Sequence, residues 1–443
     1  SIAKIVDPNP SLKVFGSDTP NKITVDNTKI TSVHAGVGED NIDAKNGAEL
    51  VEISGGSGND DITVNKSKIS GEAIKDDEGK IIRYEAIKGD DGVDTISIQN
   101  ESKVRGNIYG NAGKDTISLD SGAKVYGAIY GDSKTMNDIY EKQVNPALDI
   151  VDKGADADTI TLSGAGTGAK HIFAGDGADV ITVKNGANVE GEVRGDSGDD
   201  KITVTGDQTY VSSINGRGGD DTILVSDKAK VDGIVGRWGN DNITVTGKDT
   251  TVKEYIHGDD GDDTINVLDG ATIGGNVEGN NGADTINIEK STIKGKIQGD
   301  AGNDTIKVSD SMIEKNEIRG GDGDDTIIIG AGNRASAGIH DGNLAINGDA
   351  GNDTTILKDG IAGNGLWTTN ESRVSITNDD GNIVVTKIEK SDTVDLSKLA
   401  AAVDNNLKSV DITSVNGGKL NITAKDILDI NKATGSILTI KGG

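Results

Sequence analysis

The chain has 443 residues, a formal net charge of -28, 2% aromatic residues and no cysteine. Disulfides and thiolate metal sites are therefore excluded, and the acidity argues against nucleic acid, whose phosphates require a basic footprint. No apolar run reaches eighteen residues, so no membrane span is expected. The 63 glycines lack the three-residue period of collagen. Low hydrophobicity with high charge also fits disorder, but a regular repeat argues against it, provided something neutralises the acid. The chain does not begin with methionine and stops at Gly443, just after a strand-like Ile437-Leu-Thr-Ile440. It reads as a piece of a larger polypeptide, or as a processed chain.

Taken in order, the sequence is a repeat. Gly258-Asp-Asp-Gly-Asp-Asp-Thr-Ile-Asn-Val267 shows the unit, an acidic glycine turn joined to a strand with alternating apolar positions, and it recurs about every twenty-one residues. The first copy, Gly16 to Thr24, is degenerate, with Asn21 where later copies have Asp, and reads as a cap. The second runs from Ala35 through Asp40 to Ile42, and Gly55 to Thr63 is a full copy. An insertion at about 71–86, with Lys75-Asp-Asp-Glu-Gly79, reads as a protruding polar loop. Copies follow at Gly89 and Gly110. At Gly131 the turn begins, but its Asp158-Thr-Ile160 end comes late, after an insertion at about 132–156 whose Met136 to Lys142 stretch suits a helical turn. From Ala174 to Val308 the repeat is most regular, with Ile181, Ile202, Ile223, Ile243, Ile265, Ile286 and Ile306 spaced by twenty to twenty-two residues. Copies at Gly320 and Gly348 close it, around an insertion at about 331–344.

One coil shows how the chain closes. Ile286 and Ile288 alternate with Asn287 as a one-sided strand does, Ile293 and Ile297 sit on two further straight segments, and polar corners such as Glu289-Lys-Ser291 separate them. The pattern predicts an all-β, right-handed parallel β-solenoid over 1–360, with some fifteen coils making a rod on the order of 70 Å long. After about Gly360 the repeat is lost. Leu366-Trp-Thr and Arg373 to Thr377 read as strands, and Leu396 to Val403 and Ala424 to Ile430 as helices. Residues 361–443 are expected to form a small mixed C-terminal capping domain, or the start of a neighbouring one, because open strand edges aggregate.

The turns match the nonapeptide GGxGxDxUx, where U is a large apolar residue, and so resemble the RTX family of calcium-binding repeats from about Ala35 to Ile356. The resemblance implies that glycine-turn carbonyls bind Ca²⁺ and that the Asp carboxylate bridges neighbouring turns. Carried over position by position, it designates Asp40, Asp60, Asp94, Asp115, Asp158, Asp179, Asp200, Asp221, Asp241, Asp263, Asp284, Asp304, Asp325 and Asp353 as carboxylate ligands. The first- and fourth-position glycines would supply carbonyls: Gly195 with Gly198, Gly216 with Gly219, Gly236 with Gly239, Gly258 with Gly261, Gly279 with Gly282, Gly299 with Gly302, and Gly320 with Gly323. The physical chemistry agrees, since calcium takes six to eight hard oxygens in flexible geometry and glycine tolerates positive φ. The family's usual array repeats its motif every nine residues, twice per coil. Here it occurs once per coil, which implies a single row of ions that the insertions at 132–156 and near Arg83 interrupt. Fourteen turns give roughly eleven to thirteen sites and about +22 to +26 of charge against the chain's acid. Without calcium, carboxylates stacked about 4.8 Å apart repel one another.

Three functions compete. An enzyme is disfavoured: His34, His171, His257 and His340 fall in different coils, and no nucleophile elbow, zinc-protease or phosphate-loop motif occurs. A polysaccharide-acting module remains an alternative, with Trp238 and scattered tyrosines as stacking residues. Ice binding is a second, since Thr95, Thr116, Thr159, Thr222, Thr264, Thr285, Thr305 and Thr326 form an outward row, although Thr suits any strand. The leading expectation is a calcium-dependent structural protein of the bacterial cell surface, similar to surface-layer proteins or to the stalk of an RTX adhesin. Its partners would be calcium ions and further copies of itself or a surface anchor. The resemblance further implies secretion by a type I route and folding outside the cell.

Overall fold

A computed structural model describes residues 2–6, 9–76, 78–132, 156–315, 317–330, 333–335 and 345–350, and beyond these only short strands between 354 and 441. The chain forms two compact units, Ser1–Trp238 and Gly239–Gly443. Each is a parallel β-solenoid, and among the described residues every regular element is a strand.

A coil of the second unit shows the construction. Strands Thr264–Leu268, Thr272–Ile273 and Val277–Asn281 follow one another around it. The first joins one sheet and the other two join a second. Coils stack in strict register: Ile265 on Ile286 on Ile306, Val267 on Ile288 on Val308, Ile273 on Ile293 on Ile313, and Val277 on Ile297 on Ile318. All twelve of these side chains are buried. β-Branched residues at alternate positions fit the pleat and face inward, and a one-residue slip would turn the whole row to solvent, so the pattern fixes the register. The first unit repeats the scheme, with Ile181, Ile202 and Ile223 in one row and Val183, Val204 and Val225 in the next. From residue 188 to 238 its two second-sheet strands run together, as Asn188–Ser197, Tyr210–Gly218 and Lys230–Trp238.

From Lys22–Asp26 to Thr305–Ser309, the first-sheet strands end at a corner in left-handed conformation. Asp269 (φ 54°) and Gly270 (φ 92°) form one, and Lys290 and Asp310 occupy its equivalents. The corner is less polar than expected. Ser291 turns inside, donates from Oγ to Glu289 O at 2.8 Å, and donates its own N–H to Ser311 Oγ at 3.1 Å, so buried hydroxyls tie coil to coil.

The insertion expected as a loop at 71–86 is a β-hairpin. Glu72–Lys75 pairs antiparallel with the start of Ile81–Asp91, and Asp76 Oδ1 holds the tip by accepting from Glu78 N–H and Lys80 N–H. Of the 132–156 insertion, residues 133–155, including the proposed helical turn, lie outside the described residues. Within 331–344 the strand Arg334–Ala335 continues the second sheet on Met312–Ile313. Past 360 strand pairing persists where the motif has gone. Val374–Asp379 stacks in parallel on Thr354–Leu357 and turns back antiparallel into Asn382–Ile388, on which Ser409–Asp411 and then Thr439–Lys441 lie. Leu366, Trp367 and the helices expected at Leu396 to Val403 and Ala424 to Ile430 lie outside the described residues.

Candidate metal centre

The acidic turns place one Asp per coil at one edge of each unit. All thirteen described Asp residues of the designated set are at most 3% exposed. Asp353 lies outside the described residues. In each coil the Oδ1 atom accepts the backbone N–H of the equivalent residue one coil earlier. In the first unit this runs from Asn21 N–H to Asp40, then through Asp60, Asp94, Asp115, Asp158, Asp179 and Asp200 to Asp221, at 2.6 to 2.8 Å throughout. In the second it runs from Asp241 N–H through Asp263, Asp284 and Asp304 to Asp325, at 2.7 to 2.8 Å. Bridging between turns is therefore built into the protein as a hydrogen bond. The insertions do not interrupt the row. The longer one leaves after Asp132 and returns at Asp156, whose carbonyl packs where Gly177 would carry a Cβ, so Asp115 N–H still reaches Asp158 Oδ1.

The other carboxylate oxygen is the unusual one. Oδ2 of Asp40, Asp60, Asp94, Asp115, Asp158, Asp179, Asp200, Asp263, Asp284 and Asp304 is buried and accepts no hydrogen bond. Where the first position of the turn is glycine, that oxygen lies over it, near the first-position carbonyl of the next coil in turns such as those of Gly55, Gly89 and Gly258. A Cβ at Gly258 would overlap Asp263 Oδ2 and stand 2.7 Å from Gly279 O; a Cβ at Gly216 would overlap Asp221 Oδ2 and stand 2.9 Å from Gly236 O. The same overlap with an Asp Oδ2 holds at Gly195, Gly279, Gly299 and Gly320. This close approach, and not positive φ, is what disfavours a Cβ at these glycines, although Ala35 and Ala174 hold the same position in the turns of Asp40 and Asp179. Positive φ belongs to the fourth position, with values of 120° to 140° at Gly198, Gly219, Gly239, Gly261, Gly282, Gly302 and Gly323, and to the second, where Asp259, Asn280 and Asp300 carry 77° to 80°.

A buried carboxylate oxygen without a donor is costly in its charged form. Burial accordingly pushes ten carboxyls of the row from Asp60 to Asp304 above the usual Asp range, against the lowering effect of the backbone N–H and with neighbouring carboxylates adding to the rise in most of them. Asp158 and Asp200 reach about 9, Asp115 about 8, Asp60, Asp179, Asp221, Asp263 and Asp284 about 7, and Asp94 and Asp304 about 6. At neutral pH the most deeply raised of these, Asp115, Asp158 and Asp200, hold a proton unless a cation takes its place.

The first coil shows which groups face that oxygen. Asn21 occupies the Asp position and is buried. Its Nδ2 donates to Thr19 O at 2.5 Å, Ser17 O at 3.3 Å, Ala35 O at 3.4 Å and Asp40 Oδ1 at 3.0 Å. Ser17 and Thr19 are the second and fourth positions of its own turn, and Ala35 is the first position of the next. A positively polarised group thus sits among carbonyl oxygens where later coils hold Oδ2. The sequence pattern marks Asn21 as a deviation from the motif and does not disclose this role.

Among the described residues no three or more His, Cys, Asp or Glu side chains converge as a metal cluster. Any ion in the row would take one or two carboxylates and otherwise backbone carbonyls, a donor set that suits a hard oxygen-loving cation and not zinc. The threonines expected to face outward stand in register, Thr95 on Thr116 on Thr159 and Thr264 on Thr285 on Thr305 on Thr326, but Thr326 is buried and Asp61, Val180 and Lys201 replace them in other coils. The described histidines each pack on a ring: His34 on Phe15, His171 on Phe173 and His257 on Tyr255. The sequence also gave no signal for a buried cluster on the outer face of the second sheet. There Arg194 stacks over Phe173 at 4.4 Å, pairs with Glu192 at 2.8 Å and stands 3.6 Å from Asp196.

No family model matches the chain, and no curated protein matches it. A solved structure is similar: a hyperactive, Ca²⁺-dependent, β-helical antifreeze protein from an Antarctic bacterium. Identity is 18% and the TM-score 0.42, with 94% of this chain and 96% of that chain covered.

Proposed function

We propose that the chain is a calcium-dependent structural protein of the bacterial cell surface, with Ca²⁺ taken up in one row between successive turns. The reading rests on the buried Asp Oδ2 atoms, which face the carbonyls that Asn21 satisfies with an amide in the first coil. An anionic oxygen among carbonyl oxygens is repulsive, and a divalent cation of hard character reverses that. The carboxylates from Asp40 to Asp353 would supply charge, and the first-, second- and fourth-position carbonyls would complete the shell, as in the RTX repeats the sequence resembles. Calcium at extracellular, roughly millimolar, levels fits sites of this carbonyl-rich kind. The chain would stay unfolded before export, by a type I route, and fold outside.

The structural role we favour is a surface-layer lattice, with the stalk or ligand-binding region of an adhesin as the alternative. Electron microscopy in calcium tests the choice. Ordered two-dimensional arrays support the lattice, whereas dispersed single particles that attach to cells support the adhesin. A reading as an ice-binding protein draws on the in-register threonines of the second unit, Thr264, Thr285 and Thr305. Thermal hysteresis in calcium tests it, and its absence removes it. Turnover of acidic polysaccharides would count against a purely structural protein.

A further inference from the structure

The first unit carries a second, unrelated surface. Lys103–Val104 and Lys124–Val125 are adjacent second-sheet strands in register, so Lys103 stands directly on Lys124, and Arg105 on Tyr126 two residues further along. The hairpin brings Tyr84 to the same place, and Tyr84, Arg105 and Tyr126 line a groove of about 500 Å³. Tyr126 also lines an adjoining groove of about 160 Å³ with Lys124 and Lys170, which ends at Glu190. Both tyrosines are exposed, Tyr84 by 42% and Tyr126 by 51%. Lys103, Arg105, Lys124 and Lys170 are exposed as well, and none of the ion pairs among the described residues involves them. In a chain with 73 acidic residues against 45 basic ones, this is an unpaired basic patch. Like charges directly opposite on neighbouring strands destabilise a sheet, and among the described residues no ion pair offsets that for Lys103 and Lys124.

We infer that this groove binds an acidic polysaccharide. Exposed tyrosine rings offer flat apolar faces to the C–H face of a pyranose, with the phenol left wet. Arg105, Lys124 and Lys170 are placed to meet carboxylates or sulfates along the strand of sugars, Arg105 in bidentate fashion. The patch is shallow and lacks a deep apolar cavity, which disfavours a lipid chain. Its cations are few and set in a strongly acidic molecule, which disfavours the dense phosphates of nucleic acid. One negative charge per sugar ring is the density that matches. The site is separate from the Asp row and does not depend on the identity of the ion there.

The test is calorimetric titration of hexagalacturonate into the full chain, kept at constant calcium and low salt. The expected result is saturable binding that weakens as salt is added. The methyl-esterified hexasaccharide, which keeps the rings and loses the charge, should bind about tenfold more weakly or worse. Arg105→Ala with Lys124→Ala, and separately Tyr126→Ala, should each weaken binding about tenfold, with the circular dichroism unchanged. If Tyr126→Ala fails to fold, the exposed Arg105→Gln serves in its place. Lys307→Ala, on an exposed strand position of the other unit, should leave binding unaltered. The inference is overturned if hexagalacturonate does not bind, if its methyl ester binds equally, or if the groove variants bind as the parent does. Tighter binding to oligothymidylate or to phosphatidylglycerol vesicles than to hexagalacturonate overturns it too.

Discussion

The first coil and the coils after it solve the same problem with different atoms. In the first, Asn21 places an amide nitrogen among Ser17 O, Thr19 O and Ala35 O, and the turn is satisfied by the protein alone. In the coil of Asp60 the same position carries a carboxylate whose Oδ1 is used on the Asp40 N–H and whose Oδ2 has no donor. One atom, nitrogen for oxygen, separates a coil that closes by itself from coils that need a cation or a proton. The turn of Asn21 is therefore self-sufficient, and conditional turns stack on it.

The comparison can be broken hardest in the middle of the row. Asp200→Ala removes the acceptor of the Asp179 N–H and leaves a buried donor unpaired, at a cost of about 1–3 kcal/mol, in addition to any ion lost. Calorimetric melting in calcium should show it, and an unchanged melting temperature would count against the ladder. Gly258→Ala comes next. Its methyl would overlap Asp263 Oδ2 and stand 2.7 Å from Gly279 O, so the carboxylate must shift as it does beside Ala35 and Ala174, at a cost of about 1–3 kcal/mol. A loss of calcium affinity should accompany the loss of stability, because the displaced group is the carboxylate itself.

Acidity sharpens the comparison without mutation. Burial raises Asp158 and Asp200 to about 9 and Asp263 and Asp284 to about 7, against an ordinary value of 3.8. A group whose pKa rises on folding takes up a proton as it folds. In chelator the stack is therefore most stable below 3.8 and loses that stability as pH rises through 6 to 9, the reverse of ordinary acid denaturation. With calcium the carboxylates are held ionised, and stability should instead fall as the pH is lowered. Melting temperature against pH, with and without chelator, should give two curves of opposite slope over this window. Parallel curves would exclude the row as the cause.

Smaller effects come from exchanging the two chemistries. Asp200→Asn carries the amide of Asn21 into the row, so it should raise the melting temperature in chelator at pH 8 and lower it in calcium. The same sign in both buffers would break the analogy. Asn21→Asp should do the converse and add one bound ion at saturation, counted by native mass spectrometry.

The Ile and Val rows and the single line of Asp were legible because each repeats its own chemistry at coil spacing. What stayed hidden depends on contacts between coils. First-position glycines look like turn glycines, yet a Cβ at Gly258 would meet Asp263 Oδ2 of its own turn and Gly279 O, one coil away. Asn21 looks like decay of the motif until its amide is seen among carbonyls. The hairpin at Glu72–Lys75 escaped notice because Ile81, Ile82 and Tyr84 are exposed and give no one-sided alternation. Tyr84, Arg105 and Tyr126 are scattered in the chain and adjacent only once coils stack.

The most direct measurement is a calcium titration of the chelator-treated chain at pH 8, followed by circular dichroism with ion binding counted by calorimetry. The account predicts loss of strand signal in excess chelator, cooperative recovery with calcium, and about one ion per step of the Asp row. The same strand content and the same melting temperature in excess chelator as in calcium would contradict it.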